Sequence, residues 1–386
     1  MRIGLKRALC LIAAGLLCLP LAGCTETVQM NRRAIVQAVG LDLEEDGQLK
    51  LTLQIFAPAV EGSGGISASA DNARIIQSKG KTVADAVQNA ALLQGKELFM
   101  GHNRVIVLGD SLARRDVEQP LRYFAGDPTV RQNVCLALAK NRAEDVLTAK
   151  INQGILPAEI LEKLLKNAQE VGLAVHMELY AFLKALESGY ESPLAPVLEA
   201  APAKEEAGGE SARLEPVSAL SVTGTGVFQG GRLAGTVGLE TSRGLLWLRG
   251  DLNRTVLTVS SGKYQSADLR LTVVRAALRP ELSDGELRFR LRVEAEAAVD
   301  EPQLRPGFTE ADADWEELAL AGEAAIRREC QTAFSLARRY QADPFGMGSL
   351  VWQRNVYRWR TLRETWPAPL GEADLQVEAR ITLQQG

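Results

Sequence analysis

Apolar residues recur along this chain at a period of two in some stretches and near 3.6 in others, with glycine- and proline-rich breaks between. The opening run fits neither rhythm. Ala8 through Leu19 is almost unbroken apolar sequence, preceded by Arg2, Lys6 and Arg7 and followed by Leu21-Ala22-Gly23-Cys24. About a dozen apolar residues fall short of the ~20 that a membrane-spanning helix needs, so the layout is that of a cleaved secretory signal. Beyond it, Ala34 to Asp42 and Lys50 to Phe56 read as a hairpin around the turn Glu44 to Gly47, with Leu51, Leu53 and Ile55 alternating. Residues 61–72 read as a loop, and Ala73 to Gln77 as a third strand. Thr82 caps a helix carrying Val83, Ala86, Val87, Ala90 and Leu93 at helical spacing. Gly95 to Gly109 reads as one strand, Ser111 to about Phe124 as a helix, and Val134 to Ala139 as a strand. Pro157 to Glu187 is helical in period and is split at Gly172.

Between Glu191 and Pro216 the character changes, with four prolines and two glycines set among Glu, Ala and Ser. This is the best linker in the chain. After it come short strands at Val222 to Phe228 and Arg232 to Val237, a helix at Glu240 to Leu248, and strands at Thr255 to Ser260, Ala267 to Ala277 and Glu286 to Val299. Thr309 is expected to open a long helix with Trp315, Leu318, Gly322, Ile326, Cys330, Ala333, Ala337 and Tyr340 on one face. Asp343-Pro344-Phe345-Gly346, a helical piece rich in Trp and Arg, and a strand from Ala373 to Leu383 close the chain. Strands and helices alternate throughout, which predicts an α/β (α+β) fold of two to three mixed-sheet domains packed with helices. The expected organisation is a signal over 1–23, an N-terminal α/β domain over 24–190, a linker over 191–216 and a C-terminal α/β domain over 217–386.

Composition adds limits. At 386 residues, 46% hydrophobic and 24% charged, this is ordinary globular material, too long for one typical core. The formal charge of −4 becomes −7 once Arg2, Lys6 and Arg7 leave with the signal, and an acidic exported chain excludes nucleic acid as a partner. Leu21-Ala22-Gly23-Cys24 has the form of a bacterial lipobox, in which the Cys24 thiol takes a diacylglyceryl group and becomes the mature N-terminus. Cys10 and Cys18 depart with the signal, leaving Cys135 and Cys330 as buried thiols or as a single bridge.

Other candidate chemistry is thin. Gly109-Asp110-Ser111-Leu112 matches the nucleophile block of the GDSL hydrolases, but only His102 and His176 exist, and neither lies in the Asp-x-x-His arrangement that supplies the base. Asp110 and Ser111 are expected to cap the following helix instead. Two histidines and two unmodified cysteines at 102, 135, 176 and 330 make no zinc set, so no metal or cofactor is expected. Glu310, Asp312, Asp314, Glu316 and Glu317 read as a helix N-terminus favoured by its dipole rather than a calcium loop. Trp352, Tyr357, Trp359 and Trp366, interleaved with Arg354, Arg358, Arg360 and Arg363, read as a helix that buries its rings, with a partner- or headgroup-touching surface as the other reading.

The ordered set of blocks resembles the Ger(x)C family of spore germination lipoproteins. Those blocks are the lipobox, Ala34 to Asp42, Gly95-Lys96-Glu97-Leu98-Phe99-Met100-Gly101-His102-Asn103-Arg104 through Gly109, Gly226-Val227-Phe228 through Gly235, Glu240-Thr241-Ser242-Arg243-Gly244-Leu245-Leu246-Trp247, and Asp343 to Gly348. The resemblance implies a non-enzymatic C subunit of a nutrient germinant receptor, held through Cys24 to the outer face of the spore inner membrane beside two polytopic membrane subunits. After the lipidated cysteine the family shows Trp-Asp, where this chain has Thr25-Glu26. A lipid-anchored protein that binds a small ligand between its domains is the alternative.

Overall fold

The computed structural model describes residues 32–57, 72–149, 157–201, 219–283 and 286–384. The alternating apolar positions of β1 (Arg33–Leu43), β2 (Leu49–Phe56) and β3 (Ala73–Gly80) make an antiparallel meander. Helix α1 (Val83–Gln94) is capped at its start by the Thr82 hydroxyl and at its end by Gly95 in the left-handed conformation. It leads to β4 (Glu97–Phe99) and β5 (Val105–Leu108), both parallel to β1. Helices α2 (Asp110–Arg115) and α3 (Glu118–Gly126) precede β6 (Cys135–Ala139), and α4 (Ala143–Thr148), α5 (Pro157–Glu170) and α6 (Leu179–Ser188) precede β7 (Leu194–Ala201). β8 (Ala219–Gln229) and β9 (Arg232–Val237) complete a nine-stranded sheet of order β3-β2-β1-β5-β6-β7-β8-β9, with β4 attached to β1 alone.

The middle of that sheet, β1-β5-β6-β7, is parallel, and its strands are covered on both faces. Hence Val105-Ile106-Val107-Leu108 and Cys135 through Ala139 are buried at every position instead of alternating. On one face Ala38, Val107 and Ala137 meet Val146 and Leu147 of α4 and Leu161 and Leu165 of α5. On the other, Val39, Ile106 and Leu136 join a larger core.

That core continues into the second unit. Helix α7 (Leu239–Arg249) is followed by β10 (Arg254–Val259), the long hairpin β11 (Tyr264–Ser283) and β12 (Glu286–Leu304), and α8 (Trp315–Tyr340). Three short helices, α9 (Met347–Arg354), α10 (Val356–Leu362) and α11 (Ala368–Glu372), lead to β13 (Asp374–Leu383), which runs parallel to β12 and completes a four-stranded sheet. Phe289, Leu291, Val293, Ala295 and Ala297 alternate inward from β12 into the apolar cluster that also holds Leu318, Ile326, Cys330 and Ala333 of α8.

Four details depart from expectation. The stretch Gly95 to Gly109 forms two strands, because a turn at Met100 to Asn103 steps the chain from β4 to β5. Ser111 to Phe124 forms two helices, broken where Asp116 turns extended and its carboxylate accepts from Glu118 N at 3.0 Å. Thr309 caps only a single 3-10 turn, Glu310–Asp312, through a reciprocal capping box with Asp312, and α8 starts afresh at Asp314, whose carboxylate accepts from Glu317 N at 3.1 Å. The shift leaves Trp315 half exposed and puts Ala325 and Leu336 on the buried face. Finally, the expected linker of 191–216 contains β7. Pro196 lacks a donor for a ladder position, yet it is tolerated because the pairing with β6 begins only at Val197.

Candidate functional site

Cys24, the expected lipidation site, lies outside the described residues. Among the described residues, parts of the motif blocks come together at three joints.

The first joint lies at the ends of β1 and β5. Asp42 is buried, and its two carboxylate oxygens accept from Ala143 N at 2.8 Å and Glu144 N at 3.0 Å, which caps α4 from a neighbouring strand. Burial raises its pKa, and the two amides oppose that rise. A Cβ built on Gly109 would lie 2.1 Å from Asp42 Oδ1, so the glycine that opens the hydrolase-like block is there to leave room for this cap. Ser111 caps nothing, contrary to expectation. Its hydroxyl donates to the Leu43 carbonyl at 3.1 Å, and Asp110 pairs with Arg114 at 2.6 Å. His102 lies before β5 and Ser111 after it, so the strand separates the serine from that imidazole. Above the joint, Lys79 and Arg142 hold the Glu44 carboxyl at about 2, well below the usual carboxylate range.

The second joint ties α7 to α8. Arg243 Nε reaches both oxygens of Glu329 at 3.1 and 3.0 Å, its Nη2 lies 2.5 Å from Oε1, and Trp247 Nε1 donates to Oε2 at 3.2 Å. Arg243 and Trp247 are four apart, so they share one helix face and present two donors to one carboxylate. The intervening Gly244 lets the helices close, since a Cβ there would meet the Glu329 carbonyl oxygen at 2.3 Å. The block Arg243-Gly244-Leu245-Leu246-Trp247 is therefore a helix-pairing surface.

The third joint is organised by Asp343, which is fully buried. Its Oδ1 accepts from Phe345 N at 3.3 Å and Met347 N at 3.0 Å, and its Oδ2 accepts from Gly348 N at 2.7 Å and Trp366 Nε1 at 3.1 Å. The Asp343 N–H donates to the Ser192 hydroxyl at 2.9 Å, and Ser192 N donates back to the Asp343 carbonyl at 2.9 Å. Arg249 of α7 donates to the Pro344 carbonyl at 3.0 Å. Burial pushes the Asp343 carboxyl up to about 6 against the pull of these donors. The aromatic block splits here. Trp359 and Trp366 stack edge to face at 5.3 Å, with Tyr190 on Trp359 at 5.0 Å, whereas Trp352 and Tyr357 are exposed.

The remaining candidates are structural too. Cys135 and Cys330 are free and buried, not bridged, and burial pushes the Cys135 thiol up to about 12 and the Cys330 thiol up as well. Burial holds His176 below the usual histidine range. Among the described residues no group of three metal-ligating side chains converges, and no helix is long and apolar enough to cross a membrane. Asp42 and Asp343 lie at the edges of two marked blocks but are given no role in sequence, and Glu329 is not singled out. The signal that marks them is their partners, a glycine that must stay small and an Arg-x-x-x-Trp pair on one helix face.

Comparison with known proteins agrees with this arrangement. Residues 26–200 match the family model described as the spore germination protein N-terminal domain, and residues 223–386 match that of the spore germination B3/GerAC like C-terminal domain. The chain is 23% identical to Spore germination protein KC of Bacillus subtilis (strain 168) over 97% of its own length and 95% of that protein's. It is 22% identical to Spore germination protein B3 of the same organism over 93% of each chain. The crystal structure of the GerBC protein shares the fold, with a TM-score of 0.57 and 16% identity over 90% of this chain and 97% of that one. Matched in both halves and in order, the chain belongs to the Ger(x)C family of spore germination proteins.

Proposed function

We propose that this chain is a lipid-anchored, non-catalytic subunit of a spore nutrient germinant receptor, acting in germination through protein contacts with two polytopic membrane subunits. The supporting observation is the match of both halves to spore germination family models, with relatives named as spore germination proteins along almost the whole chain. The geometry is in keeping with it: Ser111 donates to a backbone carbonyl, Asp110 pairs with Arg114, and the two cysteines are buried in the core. In this reading residues 1–23 are a signal removed on export and Cys24 carries the lipid. The 24–190 and 217–386 segments then stand on the outer face of the spore inner membrane. Two acyl chains supply a stable anchor by the two-signal rule.

The test joins localisation to phenotype. Cys24→Ala should move the protein out of the membrane fraction, and deletion of the gene should abolish germination with one nutrient while sparing others. Full membrane association of the Cys24→Ala protein would sink the anchor, and unchanged germination with every nutrient would sink the receptor role. The ligand-binding alternative finds its best place in an open groove of about 320 Å³ beyond the carboxyl ends of β5 and β6, lined by Asp110, Arg114, Lys140 and Thr236. Saturable heat on titrating the protein with amino acids or sugars would favour that reading.

A further inference from the structure

Because β1, β5, β6 and β7 run parallel, their first residues share one end of the large sheet. The chain arriving from Cys24 reaches that end at Arg33, nine residues on, a distance of at most ~30 Å when fully extended. Beside it stand Leu92 and Leu93, in the last turn of the helix that precedes β4, and β4 pairs Glu97 with Arg33. Both leucines project into solvent, 73% and 71% exposed. At the far side of the same end, Tyr190 lies four residues before β7, and Ser192 ties that approach to Asp343. From there hang α9 and α10, with Trp359 stacked on Tyr190. These two helices show Trp352, Val356 and Tyr357 to solvent, and Tyr357 at 82% is the most exposed large apolar side chain among the described residues.

The charge around these side chains is mostly basic: within residues 347–366 four arginines stand against one acid, Glu364. Arg354, Arg360 and Arg363 are exposed, and none has a carboxylate within ion-pairing distance among the described residues, while Arg360 lies over the Tyr357 ring at 6.0 Å. A chain of net charge −4 has thus gathered cations and exposed rings on and just after two short helices. Rings of this kind settle at a headgroup layer, and arginine forks match phosphate.

We propose that the end of the large sheet where β1, β5, β6 and β7 begin lies against an anionic phospholipid surface, with Leu92, Leu93 and Tyr357 entering the headgroup layer and Arg354, Arg360 and Arg363 meeting its phosphates. The proposal rests on the lipid-anchor reading for the reason the surface is near, and it adds which face of the protein meets it. The anchor holds the chain within reach, and the patch sets its orientation.

The test removes the anchor. Every described contact lies within residues 32–384, so a chain starting at Thr25 keeps all of them. That chain should co-sediment with vesicles of phosphatidylcholine and phosphatidylglycerol at low salt, release at high salt, and ignore vesicles of phosphatidylcholine alone. Each arginine near an anionic surface is worth about fivefold in partitioning, so Arg354→Glu/Arg360→Glu/Arg363→Glu should lose at least about a hundredfold, and the triple lysine variant should retain most of it. Leu92→Ser/Leu93→Ser should weaken binding while leaving its salt dependence in place. Failure of the unsubstituted chain to bind the anionic vesicles overturns the proposal, as does parental binding by the glutamate variant or equal binding to both vesicles. None of these outcomes bears on lipidation, which the Cys24→Ala fractionation tests separately.

Discussion

Asp343 offers a sharp perturbation because its carboxylate is fully buried and yet charged at neutral pH. Its folded pKa of about 6 stands above the unfolded value of 3.8. The native state therefore binds the proton more tightly than the unfolded chain does, and this group's contribution to stability is fully present below pH 3.8 and is lost as pH rises through 6. At 1.36 kcal/mol per pKa unit, the loss across that window is about 3 kcal/mol. Asp343→Asn abolishes the titration but converts one oxygen into an amide nitrogen that cannot accept. Two of the four donors facing the group, a pair such as Gly348 N and Trp366 Nε1, are left without a partner. Each orphaned donor costs about 1–3 kcal/mol. The orphaned donors set the variant's deficit against the ionised parent, and because only the parent titrates, that deficit should shrink by about 2–3 kcal/mol between pH 4 and pH 7. Urea unfolding of both proteins across this range measures the difference directly, and taking the difference removes carboxylates such as Glu44 that act with the opposite sign. A gap that stays constant from pH 4 to pH 7 would refute the placement of the titration at Asp343.

Two further substitutions test the reading of the motif blocks. Gly244→Ala should push α7 from α8 and cost about 1–3 kcal/mol or more in thermal or urea unfolding, since its Cβ meets a backbone oxygen rather than a movable side chain; parental stability would mean that the helix pair is not as tight as described. Ser111→Ala removes one hydrogen bond to the Leu43 carbonyl and should cost about 1 kcal/mol in stability, with no change in ester hydrolysis against the parent; loss of a parental esterase activity would restore the hydrolase reading.

Much of the fold was legible because its elements carry strong local rhythm. Thr82 with its following apolar spacing, the alternation of β12 and the fully apolar β5 and β6 each report their element type without tertiary information. What local pattern does not carry is where a break falls when two short elements share one apolar face. The step from β4 to β5, the break at Asp116 and the restart of α8 at Asp314 are each set by a backbone turn and one carboxylate cap. The joints were less legible still. Asp42 caps a helix about a hundred residues later in the chain, Glu329 answers an arginine on another helix, and Asp343 meets Ser192 and Trp366 only after folding. Their partners are far apart in sequence, so no window of periodicity contains them.

The same joints reach across the proline-rich stretch, whose first residues form β7. A linker implies two bodies with little between them. Here Leu194 to Ala201 pairs with β6 on one side and β8 on the other, so the large sheet includes strands from both sides of the proline-rich stretch. Arg249 reaches the Pro344 carbonyl and Asp343 holds Ser192, which fastens α7 and the loop after α8 to the start of β7. One apolar cluster runs from Val39 through Trp247 to Phe289. Parting the halves would split that cluster, strip Asp343 of its partner and leave buried donors without acceptors, each costing about 1–3 kcal/mol. The conspicuous blocks are thus spent on fastening elements from the two halves of the chain to one another.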